Sequence, residues 1–242
     1  MNSPISSFKN KFEDQKCVIF GNGPSLTLDL INAINSDNNK LFSFTVNGFC
    51  AVFNDTEFRP DAVCMSNHFS VKHYLQHYPD STLKFLKSGW EKVISYKPRN
   101  AYSLPFGCNH SENGRHIETF IKDGYFTTDP GILNHCGDSV LLDFCFPIAF
   151  YMGFSEIYLA GVDCDYSKGY FHKDCLKTWA PDGYKGMSTG DYSIILPSYR
   201  YTYDYFKSTG RSVYKITESK YLDFIPTKKL DIFLENVNEY VD

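Results

Sequence analysis

The stretch Lys16 to Ser25, KCVIFGNGPS, constrains this chain more than any other. Cys17 to Phe20 is a short apolar run of the kind that fills a strand buried on both faces of a parallel sheet. Gly21-Asn22-Gly23-Pro24-Ser25 then turns the chain into Leu26–Ile31, which can wind as a helix. Glycine permits a tight turn and the close approach of a ligand. A proline at the first helical position sacrifices no hydrogen bond, because that N–H has no helical partner. Such a junction either offers free N–H groups and a positive dipole end to an anion such as a nucleotide phosphate, or is an ordinary strand-to-helix turn. The spacing Gly-x-Gly-Pro-Ser is not the full Gly-x-Gly-x-x-Gly and leaves both open.

The rest of the chain alternates in the same sense. Leu41–Val46 reads as a second strand ending at Asn47, and Ala62–Met65 as a third ending at Ser66-Asn67. Phe69–Tyr78 suits a helix, and Val93–Tyr96 another strand; residues 97–130 show no ordered pattern. After Gly137-Asp138-Ser139-Val140, Leu141–Met152 is apolar on nearly every side, which predicts a helix buried between layers. Pro147 should kink that helix and Gly153 should end it. Ile157–Ala160 reads as a central strand running into Gly161-Val162-Asp163. Residues 164–195 then form a polar, Gly-containing connection whose length suggests a lid. Tyr199–Thr209, Val213–Ile216 and Lys228–Tyr240 complete the pattern as helix, strand and terminal helix. The alternation predicts a single α/β domain over residues 1–242, a Rossmann-like, mostly parallel sheet with helices on both faces and a lid segment. Ligands of such sheets bind beyond the carboxyl ends of the strands. There the chain places Asn22, Asn47, Asn67 and Asp163, which suggests one shared ligand site.

Composition narrows the function classes. With 242 residues and a net charge of −4, the chain lacks the basic excess expected of a nucleic-acid binder. The 18 Tyr and 21 Phe suit a filled core and equally a site that stacks bases or sugars. The eight cysteines never form a Cys-x-x-Cys pair, and several sit in apolar runs. They are read as reduced thiols of a cytoplasmic protein. The first residues carry no apolar signal core, and no apolar run is long enough to cross a bilayer.

VIFGNGPSL at Val18–Leu26 resembles the opening of a family of bacterial sialyltransferases that use CMP-activated sialic acid. Asn47 after the second strand and Asn67 after the third are similar to asparagines of that family. So is the segment Ser139–Asp163 with its IYLAGVD strand. The same pieces resemble a wider superfamily of motility-associated glycosyltransferases and archaeal-type pterin pyrophosphokinases. Arg59-Pro60-Asp61, Gly137-Asp138-Ser139-Val140 and a histidine soon after Asp163 lie closer to this wider group.

The resemblance implies transfer of a nonulosonic acid from a CMP donor to a glycan acceptor, with no cofactor and no metal. Its implied partners are the sugar nucleotide and the glycan, not nucleic acid. Peripheral attachment at the inner membrane and self-association both remain compatible with it. The donor would be held by Gly21, Asn22, Gly23, Pro24, Ser25, Asn47, Asn67, Ser139, Gly161 and Asp163. Tyr166 and Tyr170 would meet the departing phosphate. The family's base histidine has no counterpart in Met187–Asp191. His172, with an ordinary pKa of about 6.5, is the first candidate for the base, and Asp191 the second. Asp163-Cys164-Asp165 also looks like a cation-binding Asp-x-Asp, but its carboxylates converge only if the segment turns. His68, His73 and His77 lack Cys or acidic partners and read as solvated rather than as a zinc site. The competing functions are a pyrophosphokinase acting on a pterin and a nucleotide-binding protein without catalysis.

Overall fold

The computed structural model describes residues 5–36, 41–106, 126–132, 139–165, 167, 169–175, 192–229 and 233. Seven strands make one sheet in the order β5-β4-β3-β2-β1-β6-β7. They are β1 Lys16–Phe20, β2 Phe42–Val46, β3 Ala62–Met65, β4 Leu83–Lys87, β5 Ala101–Leu104, β6 Glu156–Ala160 and β7 Ser212–Lys215. All six pairings are parallel, so the expected α/β architecture holds. The chain winds one way from β1 to β5 and the other from β6, which makes the β1–β6 junction the switch point at which such sheets open a crevice.

The period-two alternation of a strand sends successive side chains to opposite faces. In β1, Cys17 and Ile19 join the core beneath Phe144, Ile148 and Phe206. Val18 and Phe20 join a second core with Leu30, Ile31, Phe49 and Tyr158. Burying each large side chain is worth roughly 1.5–3 kcal/mol, so a strand apolar on both faces is driven to the sheet centre.

The first helix starts later than the sequence suggests. α1 is Leu28–Ile34, with Thr27 as its cap; the Thr27 hydroxyl accepts the Leu30 N–H at 3.2 Å. Pro24 therefore lies in the preceding turn, not at the first helical position. α2 is His68–Tyr74, followed by a 3₁₀ turn over Leu75–His77. The buried helix is present in two parts, a π turn over Leu141–Cys145 and then α3, Phe146–Met152. Proline lacks the N–H for a regular ladder, and the widened turn ahead of Pro147 absorbs the change. Gly153, at φ 98°, ends α3 as expected. α4 is Tyr192–Ser208, longer than anticipated because Pro197 lies inside it. The last strand falls one residue early, and the expected C-terminal helix lies outside the described residues beyond Lys229, Phe233 apart.

Two strands were missed and one expected strand is absent. Val93–Tyr96 is not a strand: it follows a 3₁₀ turn at Trp90–Lys92, and Ser95 and Tyr96 are exposed. β4 escaped notice because Lys84 interrupts its apolar run. Lys84 is nonetheless buried, its ammonium donating to the Pro79 and Thr82 carbonyls at 2.7 and 2.8 Å. β5 is an edge strand with mostly half-buried side chains, which leaves a weak pattern.

Candidate functional site

A cavity of about 460 Å³ opens at the carboxyl ends of β1, β2, β3 and β6, lined by Gly21–Gly23, Val46–Gly48, Ser66, Asn67 and Gly161–Asp165. Ser139, Val140, Leu141, Asp143, Phe106, Tyr199 of α4 and the segment that returns through Gly169 and Tyr170 line much of the remaining wall.

The loop after β1 is stitched to the end of β6. Gly21 N–H donates to the Ala160 carbonyl and Gly23 N–H to the Gly161 carbonyl, both at 2.8 Å. Ser25 N–H donates to Asp163 Oδ2 at 3.1 Å. A Cβ at Gly21 would run into the Gly161 carbonyl, and one at Gly23 into the Asp163 carboxylate and the same carbonyl. The glycines are thus required by the approach of chain to chain. The amides of Gly21, Gly23 and Ser25 are committed to protein acceptors, so they do not form the open phosphate cradle that was one of the two readings the sequence left open.

What the cavity wall presents instead is side chains. Asn22 Nδ2 donates to the Val46 carbonyl at 3.2 Å, which fixes the amide's orientation and leaves Oδ1 buried with no partner among the described residues. Asn47, at φ 47°, also has a buried Oδ1 with no partner among the described residues. Left-handed backbone in a non-glycine residue costs about 1–3 kcal/mol and clusters at functional sites. Asn67 Oδ1 caps α2 by accepting the Ser70 N–H at 2.7 Å. Ser139 and Tyr199 share a hydroxyl–hydroxyl bond of 3.0 Å.

Beyond β6 the chain bends at Gly161, φ 67°, and Cys164, φ 52°. That bend brings both Asp163 and Asp165 to the cavity. Each carboxylate already serves the chain: Asp163 Oδ2 takes the Ser25 N–H, and Asp165 Oδ1 takes the Ser167 N–H and hydroxyl. Among the described residues, no group of three or more His, Cys, Asp or Glu is placed to hold a metal. The returning segment is pinned by Phe171 N–H on the Asn22 carbonyl at 3.1 Å and by the Tyr74 hydroxyl on the Cys175 carbonyl at 2.8 Å. Burial pushes the Cys50, Cys164 and Cys175 thiols up to about 12. Six described cysteines are free and buried, which is packing rather than nucleophile chemistry.

A family model described as 6-hydroxymethylpterin diphosphokinase MptE-like matches residues 1–169. The chain belongs to the MptE-like family. Its fold is shared by the sialyltransferase Cst-II in complex with CMP, at 19% identity and a TM-score of 0.51, over 90% of this chain and 88% of that one. It is shared also by the monofunctional alpha-2,3-sialyltransferase Cst-I from Campylobacter jejuni, at 17% identity and a TM-score of 0.50, over 90% and 82% of the two chains. A MAf glycosyltransferase from Magnetospirillum magneticum aligns with 98% of this chain and 41% of its own length, at 12% identity and a TM-score of 0.49. No curated protein sequence gives a significant match.

In this MptE-like chain the cavity gathers most of the residues that the sequence singled out: Gly21, Asn22, Gly23, Asn47, Asn67, Ser139, Gly161, Asp163 and Tyr170 line it. Pro24 and Ser25 do not. His172 is also outside the lining. Its Nε2 faces Asp55 Oδ2 at 3.1 Å, and its Nδ1 accepts the Asp174 N–H at 3.2 Å. Tyr166 and Asp191 lie outside the described residues. The sequence reading missed Asp143, Tyr199, Phe69 and Phe106. Asp143 had a signal, as the one charged side chain between Ser139 and Met152; the aromatic residues had none, because aromatics are common throughout. Among the described residues no helix is long and apolar enough to cross a membrane.

Proposed function

We propose that this protein is a metal-independent glycosyltransferase that moves a nonulosonic acid, a sialic-acid-like sugar, from a CMP-activated donor to a glycan acceptor. The observation that carries the reading is Asn22. Its Nδ2 is held by Val46, so its buried Oδ1 can only accept a hydrogen bond, at the switch point of the sheet. An orphaned buried acceptor is costly until a ligand supplies a donor. Ribose, sugar and cytosine offer O–H and N–H groups, whereas a phosphate is acceptor-only. A solved structure with the same fold holds CMP.

In the reaction, the bond between the sugar's anomeric carbon and the phosphate oxygen breaks, and CMP leaves with the electron pair. The acceptor oxygen bonds to that carbon, and its proton passes to a protein base. No Lys, Arg or His among the described residues lines the cavity, so the phosphate is assigned to hydroxyls, with Tyr170 and Tyr166 as the proposed donors. Because His172 is held by Asp55 outside the wall, Asp191 is the preferred base and His172 the alternative. The returning segment acts as a lid that keeps water from the activated donor. Buried, reduced thiols fit a cytoplasmic location, and a surface glycan is the proposed product.

The test is thermal stabilisation by nucleotides. CMP or CTP should raise the melting temperature more than ATP, UMP or GMP, by the equivalent of about 2.7 kcal/mol at a hundred times Kd. Transfer should survive EDTA. Equal shifts from every base, or activity that returns only with magnesium or manganese, would overturn the reading.

The family description supplies a second reading, diphosphate transfer to a pterin. What favours it is the charge of the wall: Asp143, Asp163 and Asp165 line the cavity, and no Lys, Arg or His among the described residues lines it with them. A nucleotide triphosphate would then arrive with its own divalent ion. The described carboxylates do not form a ready site for that ion.

A further inference from the structure

We propose that Tyr199 is a positioning residue: from α4 its hydroxyl holds the Ser139 hydroxyl in one orientation on the cavity wall, ready for the donor nucleotide. The assignment rests on the sugar-nucleotide reading above, in which Ser139 meets that donor. Ser139 and Tyr199 both line the cavity, and their hydroxyl oxygens lie 3.0 Å apart. They come from distant parts of the chain. Ser139 leads into the π turn, where its carbonyl accepts the Asp143 N–H at 2.8 Å. Tyr199 belongs to α4. Ser139 is therefore held at two points, its backbone by the turn and its side chain by the helix.

The arrangement answers a physical need. No Lys, Arg or His among the described residues lines the cavity, so the nucleotide's hydrogen bonds there fall largely to neutral groups. A neutral hydrogen bond contributes little net, and the cost of ordering a loose side chain on binding can cancel it. A serine hydroxyl turns among three staggered positions. Bonded to a fixed partner it keeps one, whichever of the two oxygens donates. Tyr199 is such a partner: it is 3% exposed, and its ring meets Phe146 edge-on at 6.2 Å between centroids. The Cys164 thiol, at the left-handed bend after β6, also hydrogen-bonds to Tyr199. One phenol thus joins α4, the entry to the π turn and the β6 bend around the cavity. The Tyr74 hydroxyl, from the same wall, is spent on the Cys175 carbonyl instead.

The experiment is a double-mutant cycle read by calorimetric titration of the full chain with CMP. Tyr199→Phe removes only the hydroxyl and should weaken CMP binding about five- to tenfold. Ser139→Ala should weaken it about tenfold in the wild-type background but less than about twofold in Tyr199→Phe, because an unheld serine has already lost its aim. A Tyr199 that merely ties elements together would lower the melting temperature without this coupling. Losses that multiply across the two sites therefore overturn the proposal and leave the donor reading standing. So does a Tyr199→Phe variant that binds CMP within about twofold of wild type. A wild type that binds no CMP overturns both. Should Tyr199→Phe fail to fold, Tyr199→Met, which fills the space without a hydroxyl, carries the same cycle.

Discussion

The two sides of the crevice are built on opposite principles. The β1 side, Gly21 to Ser25, has no left-handed residue and is flat against its neighbour, its amides spent on Ala160, Gly161 and Asp163. The β6 side is bent, with positive φ at Gly161 and Cys164. It is buttressed from behind, where Thr217 Oγ1 accepts the Gly161 N–H and the Ser219 hydroxyl donates to the Asp163 carbonyl, both at 3.0 Å. Glycine therefore does two different jobs a few ångströms apart. On one side it only removes a side chain that would collide, and on the other it also permits a dihedral, at a position where a Cβ would meet Leu26 as well. Under the proposed transfer the two sides would divide the labour: the stapled side would hold ligand through the fixed amide of Asn22, and the bent side, which leads into Tyr170, would carry the chemistry.

That division can be broken most sharply by rate. Asp191→Ala should lower turnover by about 10²–10⁴-fold with CMP affinity nearly unchanged, whereas Asn22→Ala should weaken CMP binding first. If His172→Ala abolishes turnover instead and Asp191→Ala does not, the base lies on the segment pinned by Asp55. The next largest effect is on stability. Gly23→Ala should cost about 3 kcal/mol in urea denaturation, because a carbonyl and a carboxylate occupy the space and neither can retreat. Gly169→Ala, with φ +76° but open space around it, should cost only about 1 kcal/mol. Equal losses would mean that collision is not the reason for Gly23.

Asp163→Ala should cost about 2 kcal/mol by orphaning the Ser25 N–H. Asp163→Asn, which keeps an acceptor oxygen, should recover most of it; no recovery would point to charge rather than the staple. Smallest is Asp55→Ala. The Asp55 side chain is 45% exposed, so losing its pair with His172 should cost well under 1 kcal/mol. A larger loss would show that the returning segment depends on that one contact.

What the sequence revealed follows the same physics. β1 and β6 were legible because a strand buried on both faces must be apolar throughout. β4 was hidden because Lys84 is satisfied by carbonyls at 2.7 and 2.8 Å, a fact of tertiary structure and not of composition. The strand-end asparagines pointed to the right rim, and the rim rule for parallel sheets sufficed to place them. The glycine pair was visible but its purpose was not, since the group it avoids, Gly161, is far along the chain. His172 was likewise unplaceable, its partner Asp55 lying 117 residues away.

The π turn at Leu141–Cys145 has a consequence for how this site is indexed to its scaffold. Each residue of a regular helix advances the chain by about 100° around the axis, and a π turn holds one residue more than an α turn. Removing a single residue from this stretch would let the coil tighten into ordinary α geometry. Everything ahead of it would then rotate by about 100° against the fixed phase of Phe146–Met152. Ser139 and Asp143 would swing off the cavity while the core behind them stayed in place. The extra residue is thus a vernier, setting the angular position of the cavity-lining groups independently of the packing that holds the helix down.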